Sequence, residues 1–197
     1  MLNQHQTIRD NIAKWNKPNP LADFLIPFIG DKKYVTILDI GSGAYSVIGN
    51  YLDGVTIDLK LCDTQDFTSF WEKYNAKPFL PVHNQDMENI TYPDNIFDIV
   101  CCINALDHTN DALKAVKEMI RVCMPGGYVY IDCHLDQLDT GHKHKWNAKS
   151  DGVLTNKKES FDLKDLGFKI NFVDNGGESR YNKIIAIFQK RKESTSV

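Results

Sequence analysis

The stretch Tyr34-Val35-Thr36-Ile37-Leu38-Asp39-Ile40-Gly41-Ser42-Gly43 decides the fold. Every residue from 34 to 40 except Asp39 is aromatic, β-branched or apolar, the pattern of a strand buried on both faces in a parallel sheet. The two glycines that follow allow a sharp turn and a close approach of backbone to a ligand. A helix starting after them would offer its unpaired N-terminal amides to that ligand.

Outward from this stretch, strands and helices alternate. Upstream, residues 2–15 read as a polar helix, Lys17-Pro18-Asn19-Pro20 breaks it, and residues 21–29 form a short amphipathic helix stopped by Gly30. Downstream, Val55-Thr56-Ile57-Asp58 reads as a short second strand ending in an acid. Residues 63–74 read as a helix carrying Phe67, Phe70, Trp71 and Tyr74, and residues 79–82 as a weak third strand. Phe97-Asp98-Ile99-Val100-Cys101-Cys102-Ile103 is a strong fourth strand. A helix over 111–123 follows, with Leu113, Val116, Ile120 and Cys123 on its apolar stripe. Pro125-Gly126-Gly127 suits a type II turn, and residues 128–132 a fifth strand. Residues 133–160 are polar and lack periodicity; a short helix over 161–166 and strands over 168–173 and 184–188 close the chain. This alternation predicts an α/β, doubly wound, mostly parallel sheet with its ligand beyond the carboxyl ends of the strands. The expected organisation is an N-terminal helical cap over 1–33, one domain over 34–190 with 133–160 as its substrate loop, and a tail over 191–197.

Composition narrows the class. The 197 residues are 42% hydrophobic and 25% charged, a globular composition long enough to bury a core unaided. Lys and Arg number 23 against 26 Asp and Glu, a formal net charge of -3, so the basic stripe that grips nucleic acid is not expected. No apolar run approaches the ~18–20 residues of a membrane span, and Met1-Leu2-Asn3-Gln4-His5 does not open a signal peptide. The five cysteines include an adjacent pair, Cys101 and Cys102, and no CxxC, which points away from a disulfide framework and toward a reducing, cytoplasmic compartment.

Three places suggest a nucleotide-type ligand. The first is Asp39 with Gly41 and Gly43. The second is Asp58, which reads equally as an acceptor for two ribose hydroxyls or as an exposed acid at a strand end. The third is Asp86-Met87, an acceptor for an adenine amino group beside a side chain that packs on the ring, or a capping aspartate in a loop.

Together these elements resemble the class I S-adenosylmethionine-dependent methyltransferases of the type 11-like group. The matching residues are Ile37 to Gly43, Ile57-Asp58, Asp86-Met87, Phe97-Asp98-Ile99-Val100, Asn104-Ala105-Leu106-Asp107-His108 and Val122-Cys123-Met124-Pro125-Gly126-Gly127. The resemblance implies a Rossmann-like seven-stranded sheet with an antiparallel last strand, and S-adenosyl-L-methionine as cofactor. It implies that Asp39, Gly41, Gly43, Asn104 and Ala105 lie beside the methionine part, Asp58 at the ribose, and Asp86 and Met87 at the adenine. Tyr45 stands where the family often has a small residue, which bears on how closely a helix packs after the loop. A nicotinamide-dependent dehydrogenase is a poorer match, because Ser46 occupies the third glycine position of GxGxxG.

Methyl transfer from a sulfonium needs positioning, and a base only when the acceptor holds a proton. Base candidates are Asp107-His108, past the fourth strand, and His134, His142 and His144 in the polar stretch. His144 ranks first, because Gly141-His142-Lys143-His144-Lys145-Trp146-Asn147 resembles an HxWN segment of a bacterial methyltransferase subset; His108 ranks second. His108 reads also as a loop-orienting residue, and His142 and His144 as a solvated face among Lys143 and Lys145. Trp15, Tyr45 and Trp146 are candidate walls of an acceptor pocket. No metal is expected, since Cys133, His134, His142 and His144 fit no standard zinc spacing. The expected activity is methyl transfer to a small-molecule or saccharide acceptor by a monomer or homodimer. The alternative is a noncatalytic S-adenosylmethionine-binding or scaffold protein of the same fold.

Overall fold

A computed structural model describes residues 10, 12–13, 17–137, 144–176 and 182–192. The decisive stretch forms β1 (Tyr34–Ile40). Around it stand β2 (Thr56–Asp63), β3 (Val82–Asn84), β4 (Phe97–Ile103), β5 (Cys123–His134), β9 (Lys169–Val173) and β10 (Lys183–Gln189). They make one seven-stranded sheet in the order β3-β2-β1-β4-β5-β10-β9. The pairs from β3 to β5 are parallel, and β10 runs antiparallel to both β5 and β9. A separate antiparallel sheet joins β6 (Asn147–Ala148), β7 (Val153–Thr155) and β8 (Ser160–Asp162).

Side-chain alternation along the central strands builds two cores. From β1, Leu38 and Ile40 enter one core and Val35 and Ile37 the other; from β4, Val100 and Cys102 oppose Ile99 and Cys101. The first core is closed by helix α3 (Ala112–Val122), by Trp146 and by the small sheet, including Ala148 and Leu154. The second is closed by Leu21, by Leu25 of a 3-10 turn (Asp23–Leu25), by Ile29 of helix α1 (Ile26–Ile29) and by Ile48. Each fully buried aliphatic side chain contributes roughly 1.5–3 kcal/mol, so the central strands are pinned from both sides. Asp111 caps α3 by accepting the Lys114 amide at 2.9 Å. Among the described residues no helix is long and apolar enough to cross a membrane.

The structure corrects several expectations. The second strand does not end at Asp58 but runs on to Asp63, and the following helix α2 covers only Thr68–Tyr74. No helix follows the glycine loop; residues 44–55 are turns and isolated bridges. Pro125-Gly126-Gly127 lies inside β5, where the register against β4 shifts between Phe97 and Ile99. The buried stripe of α3 is Ala112, Ala115, Val116, Met119 and Val122, while Leu113 and Ile120 are half-buried. Within 133–160 stand the end of β5, all of β6 and β7 and the first residue of β8; residues 138–143 lie outside the described residues, as do 193–197 of the tail and all but three residues of the expected first helix.

Candidate active site

Parallel strands deliver their carboxyl ends to one edge, and at the reversal between β1 and β4 the chain opens a cleft. Its cavity is about 470 Å³, lined by the ends of four strands, a size typical of small-ligand sites. β1 supplies Gly41 and Gly43, β2 Asp63, β3 Asp86 and Met87, and β4 Asn104, Ala105 and His108.

Gly41 is where the glycine requirement is absolute. Its φ is +75°, and a Cβ there would lie 2.4 Å from Ala105 Cβ and 3.1 Å from Met87 Cε. Gly43, at φ +68°, has nothing within 4 Å of a Cβ position, so the loop leaves space beside it. The amides of this loop are not free, as a helix N-terminus would have left them. Gly41 and Ser42 donate to the Cys62 carbonyl at 2.7 and 3.1 Å, and Gly43 donates to Asp63 Oδ2 at 3.0 Å. The loop therefore contributes room, and β2 holds it in place.

Asp63 is the residue that sequence reasoning missed. Its Oδ1 accepts the Gln65 amide at 2.9 Å and its Oδ2 the Gly43 amide, which fixes the carboxylate at the cleft. Each oxygen keeps a further lone pair for a ligand hydroxyl. The signal was present as alternation: Ile57, Leu59 and Leu61 continue one period past Asp58 and Lys60, which pair with each other at 2.8 Å. Asp58 itself pairs with Thr36 near the start of β1, accepts from Tyr34 Oη at 3.2 Å, and lines a different hollow with Tyr51 and His83. Five residues of strand at ~3.3 Å each separate it from Asp63, about 16 Å.

The other residues expected at the cofactor divide. Asp86 sits on the cleft and accepts the Glu88 amide at 2.8 Å, and Met87 lies against Gly41. Asn104 adopts φ +50° at the end of β4, tied down by its amide to the Asp132 carbonyl at 2.8 Å. Asp39 does not line the cleft. It is 2% exposed behind the loop, and burial pushes its carboxyl up to about 6, opposed by a hydrogen bond with Ser46.

Next to Ala105 the chain makes a second cluster. Asp107 and His108 close a 3-10 turn over Leu106–His108. The Lys145 and Trp146 amides both donate to the Asp107 carbonyl, at 2.7 and 3.1 Å, which draws the distant HxWN segment onto the end of β4. His144 Nδ1 then lies 2.5 Å from Asp107 Oδ2, with both side chains buried. The His108 ring stands 4.5 Å from that of His144, centroid to centroid, and its Nε2 is 3.9 Å from Asp107 Oδ1. The two histidines ranked as catalytic candidates thus meet around one carboxylate, and His108 lines the same cleft as Gly41 and Asp63.

The acceptor-wall candidates fare differently. Trp146 is 1% exposed and packs edge-on against Phe161 at 5.7 Å, so it is core. Tyr45 packs against Phe70, ring centroids 6.1 Å apart. Trp15 and His142 lie outside the described residues. Of Cys133, His134, His142 and His144, weighed together for zinc, His142 lies outside the described residues and the other three form no cluster of ligand atoms among them. Cys133 is buried on β5, and burial raises its thiol far above the usual range. A different set, Asp107, His108 and His144, brings three ligand atoms within 4.8 Å of one another.

Comparison with known proteins places this architecture. The family model described as a methyltransferase domain matches residues 38–131, from the middle of β1 into β5. The probable methyltransferase ltbC of Aspergillus luteorubrus is 31% identical over 156 residues, covering 66% of this chain and 54% of that protein. Over residues 38–131 the chain carries a methyltransferase domain, and it is similar to the class I S-adenosylmethionine-dependent methyltransferases. An uncharacterized methyltransferase of Schizosaccharomyces pombe is 29% identical over 129 residues, 58% of this chain and 45% of that protein. The chain thus spans about half the length of the curated relatives it matches. In fold it is similar to the N-methyltransferase NodS of Bradyrhizobium japonicum, with a TM-score of 0.54 and 13% identity over 97% of this chain and 99% of the other. A SAM-dependent methyltransferase of Methanosarcina mazei gives 0.54 and 15% over 88% and 99%. S-adenosylmethionine is the cofactor of the family, and the cleft suits it, with open space beside Gly43 and a fixed carboxylate at the end of β2.

Proposed function

We propose that this methyltransferase moves the methyl group of S-adenosylmethionine to a small-molecule or saccharide acceptor. In this reading Asp63, in place of Asp58, accepts the two ribose hydroxyls. Asp86 takes the adenine amino group and Met87 packs on the ring, while Gly41, Gly43, Asn104 and Ala105 border the methionine part. Asp39 supports the loop from behind.

The observation that carries the reading is the continuity of β4: Ala105 borders the cofactor cleft, and two and three residues later Asp107 and His108 begin the carboxylate–imidazole cluster. In the transfer, an acceptor lone pair forms the bond to the methyl carbon as the carbon–sulfur bond breaks, its electron pair neutralising the sulfonium. A hydroxyl acceptor must also lose its proton, and the cluster is the group that removes it or makes it acidic. Among the lining residues Asp63, Asp86 and Glu88 outnumber the single Lys145, which favours a neutral or cationic acceptor over a phosphate backbone.

The test is a screen of the full chain with methyl-labelled donor against small-molecule and saccharide pools. Label is expected in at least one pool, and in none with the His144→Ala, His108→Ala double variant, which should still bind the donor. Donor binding with no transfer to any pool, alongside transfer to nucleic acid or protein, would overturn the acceptor assignment. Donor binding without transfer to anything would favour a noncatalytic role.

A further inference from the structure

We infer that Asp107, His108 and His144 form a binding site for one divalent transition-metal ion of the zinc type, open toward the cofactor cleft. The first observation is the donor set: one carboxylate and two imidazoles with ligand atoms within 4.8 Å of one another, a combination that suits zinc. The second is independent of it. Asp107 is 3% exposed, and its Oδ1 is buried with no hydrogen-bond partner among the described residues. A buried carboxylate oxygen left without a partner is costly, and a cation is the partner that relieves it.

The spacing fits. Oδ1 lies 3.9 Å from His108 Nε2, and an ion ~2.0–2.2 Å from oxygen and nitrogen bridges such a gap. On the other side of the carboxylate, His144 Nδ1 stands at Oδ2, 2.5 Å away. The imidazole therefore either joins the ion or orients the carboxylate for it, as outer partners of metal ligands do. The protein ligands leave a position for an acceptor oxygen or nitrogen, and His108, half-exposed on the cleft, sets its direction. No change of oxidation state is needed: the ion polarises the acceptor, whose proton passes to solvent while methyl transfer proceeds as described.

The inference gives the proposed acceptor site its chemistry and rests on that reading, but metal binding is measured without donor or acceptor. The experiment takes the full chain without a polyhistidine tag, dialysed against chelator and then titrated with Zn²⁺ by calorimetry and with Co²⁺ by visible absorption. One equivalent should bind, with Co²⁺ giving the d–d bands of a nitrogen- and oxygen-ligated ion. His108→Ala, at an exposed position that folding tolerates, should weaken binding at least about tenfold. Asp107→Asn should do so as well. No saturable binding, or affinities unchanged in both variants, overturns the inference. Failure of donor binding in a parallel titration would instead count against the methyltransferase reading, so the two failures are separable.

Discussion

Replacing Asp63 with alanine should weaken S-adenosylmethionine binding about a hundredfold, while the same change at Asp58 should leave it alone. Asp63 is held at the cleft by the Gly43 and Gln65 amides, with a lone pair left on each oxygen for a ribose hydroxyl. Hydrogen bonds to a charged group are each worth about 1.5–3 kcal/mol and are not fully additive, so losing two costs about 3 kcal/mol. At ~1.4 kcal/mol per decade that is a little over two orders of magnitude. Asp63→Ala also removes the support of two backbone amides, so thermal unfolding of the free protein accompanies the titration to separate loss of fold from loss of affinity. Asp58 stands about 16 Å down the same strand and pairs with Lys60. Calorimetry on the two variants side by side decides the matter. Equal affinity in Asp63→Ala and the parent, or an equal loss in Asp58→Ala, would refute the assignment of β2's terminal acid.

Three further outcomes follow from the packing. Gly41→Ala forces a left-handed φ on alanine and drives its Cβ into Ala105, so it should destabilise by roughly 2–4 kcal/mol and abolish donor binding; denaturant melts and calorimetry read both. Trp146→Ala should cost about 3–5 kcal/mol of stability, because that ring is core; a small change in melting with a large loss of turnover would return it to the acceptor wall. Asp39 titrates near 6 when folded against about 3.9 unfolded. Because the folded form binds the proton more tightly, its contribution to stability is fully present below pH 4 and is lost as pH rises through about 6. Relative to the parent, Asp39→Asn should therefore gain up to about 3 kcal/mol between pH 4 and pH 7, and urea melts at the two pH values measure it.

Much of the fold was legible because it is written in short-range pattern. The run Val35 to Ile40 and the run Phe97 to Ile103 are apolar on both faces, and both are central strands. The antiparallel closing strand, however, came from resemblance, not from period. Two kinds of feature escaped. Asp58 and Lys60 broke the apolar run of β2, although they alternate with Ile57, Leu59 and Leu61, so the strand was expected to end five residues short of Asp63. The union of Asp107 with His144 depends on two backbone hydrogen bonds spanning nearly forty residues, and no local pattern encodes it. Trp146 was misjudged for the reverse reason. The polar residues around it suggested a loop, yet the short strands 147–148 and 153–155 bury it against Phe161.

The central claim is that S-adenosylmethionine occupies the cleft between β1 and β4. Amide chemical shifts of the isotope-labelled chain, recorded as S-adenosylmethionine is added, test it directly. The shifts should move at Gly41 to Gly43, Asp63 to Gln65, Gln85 to Glu88 and Asn104 to Asn110, and stay still around Asp58 and His83. No perturbation at saturating donor, or one centred on the hollow beside Asp58, would contradict it.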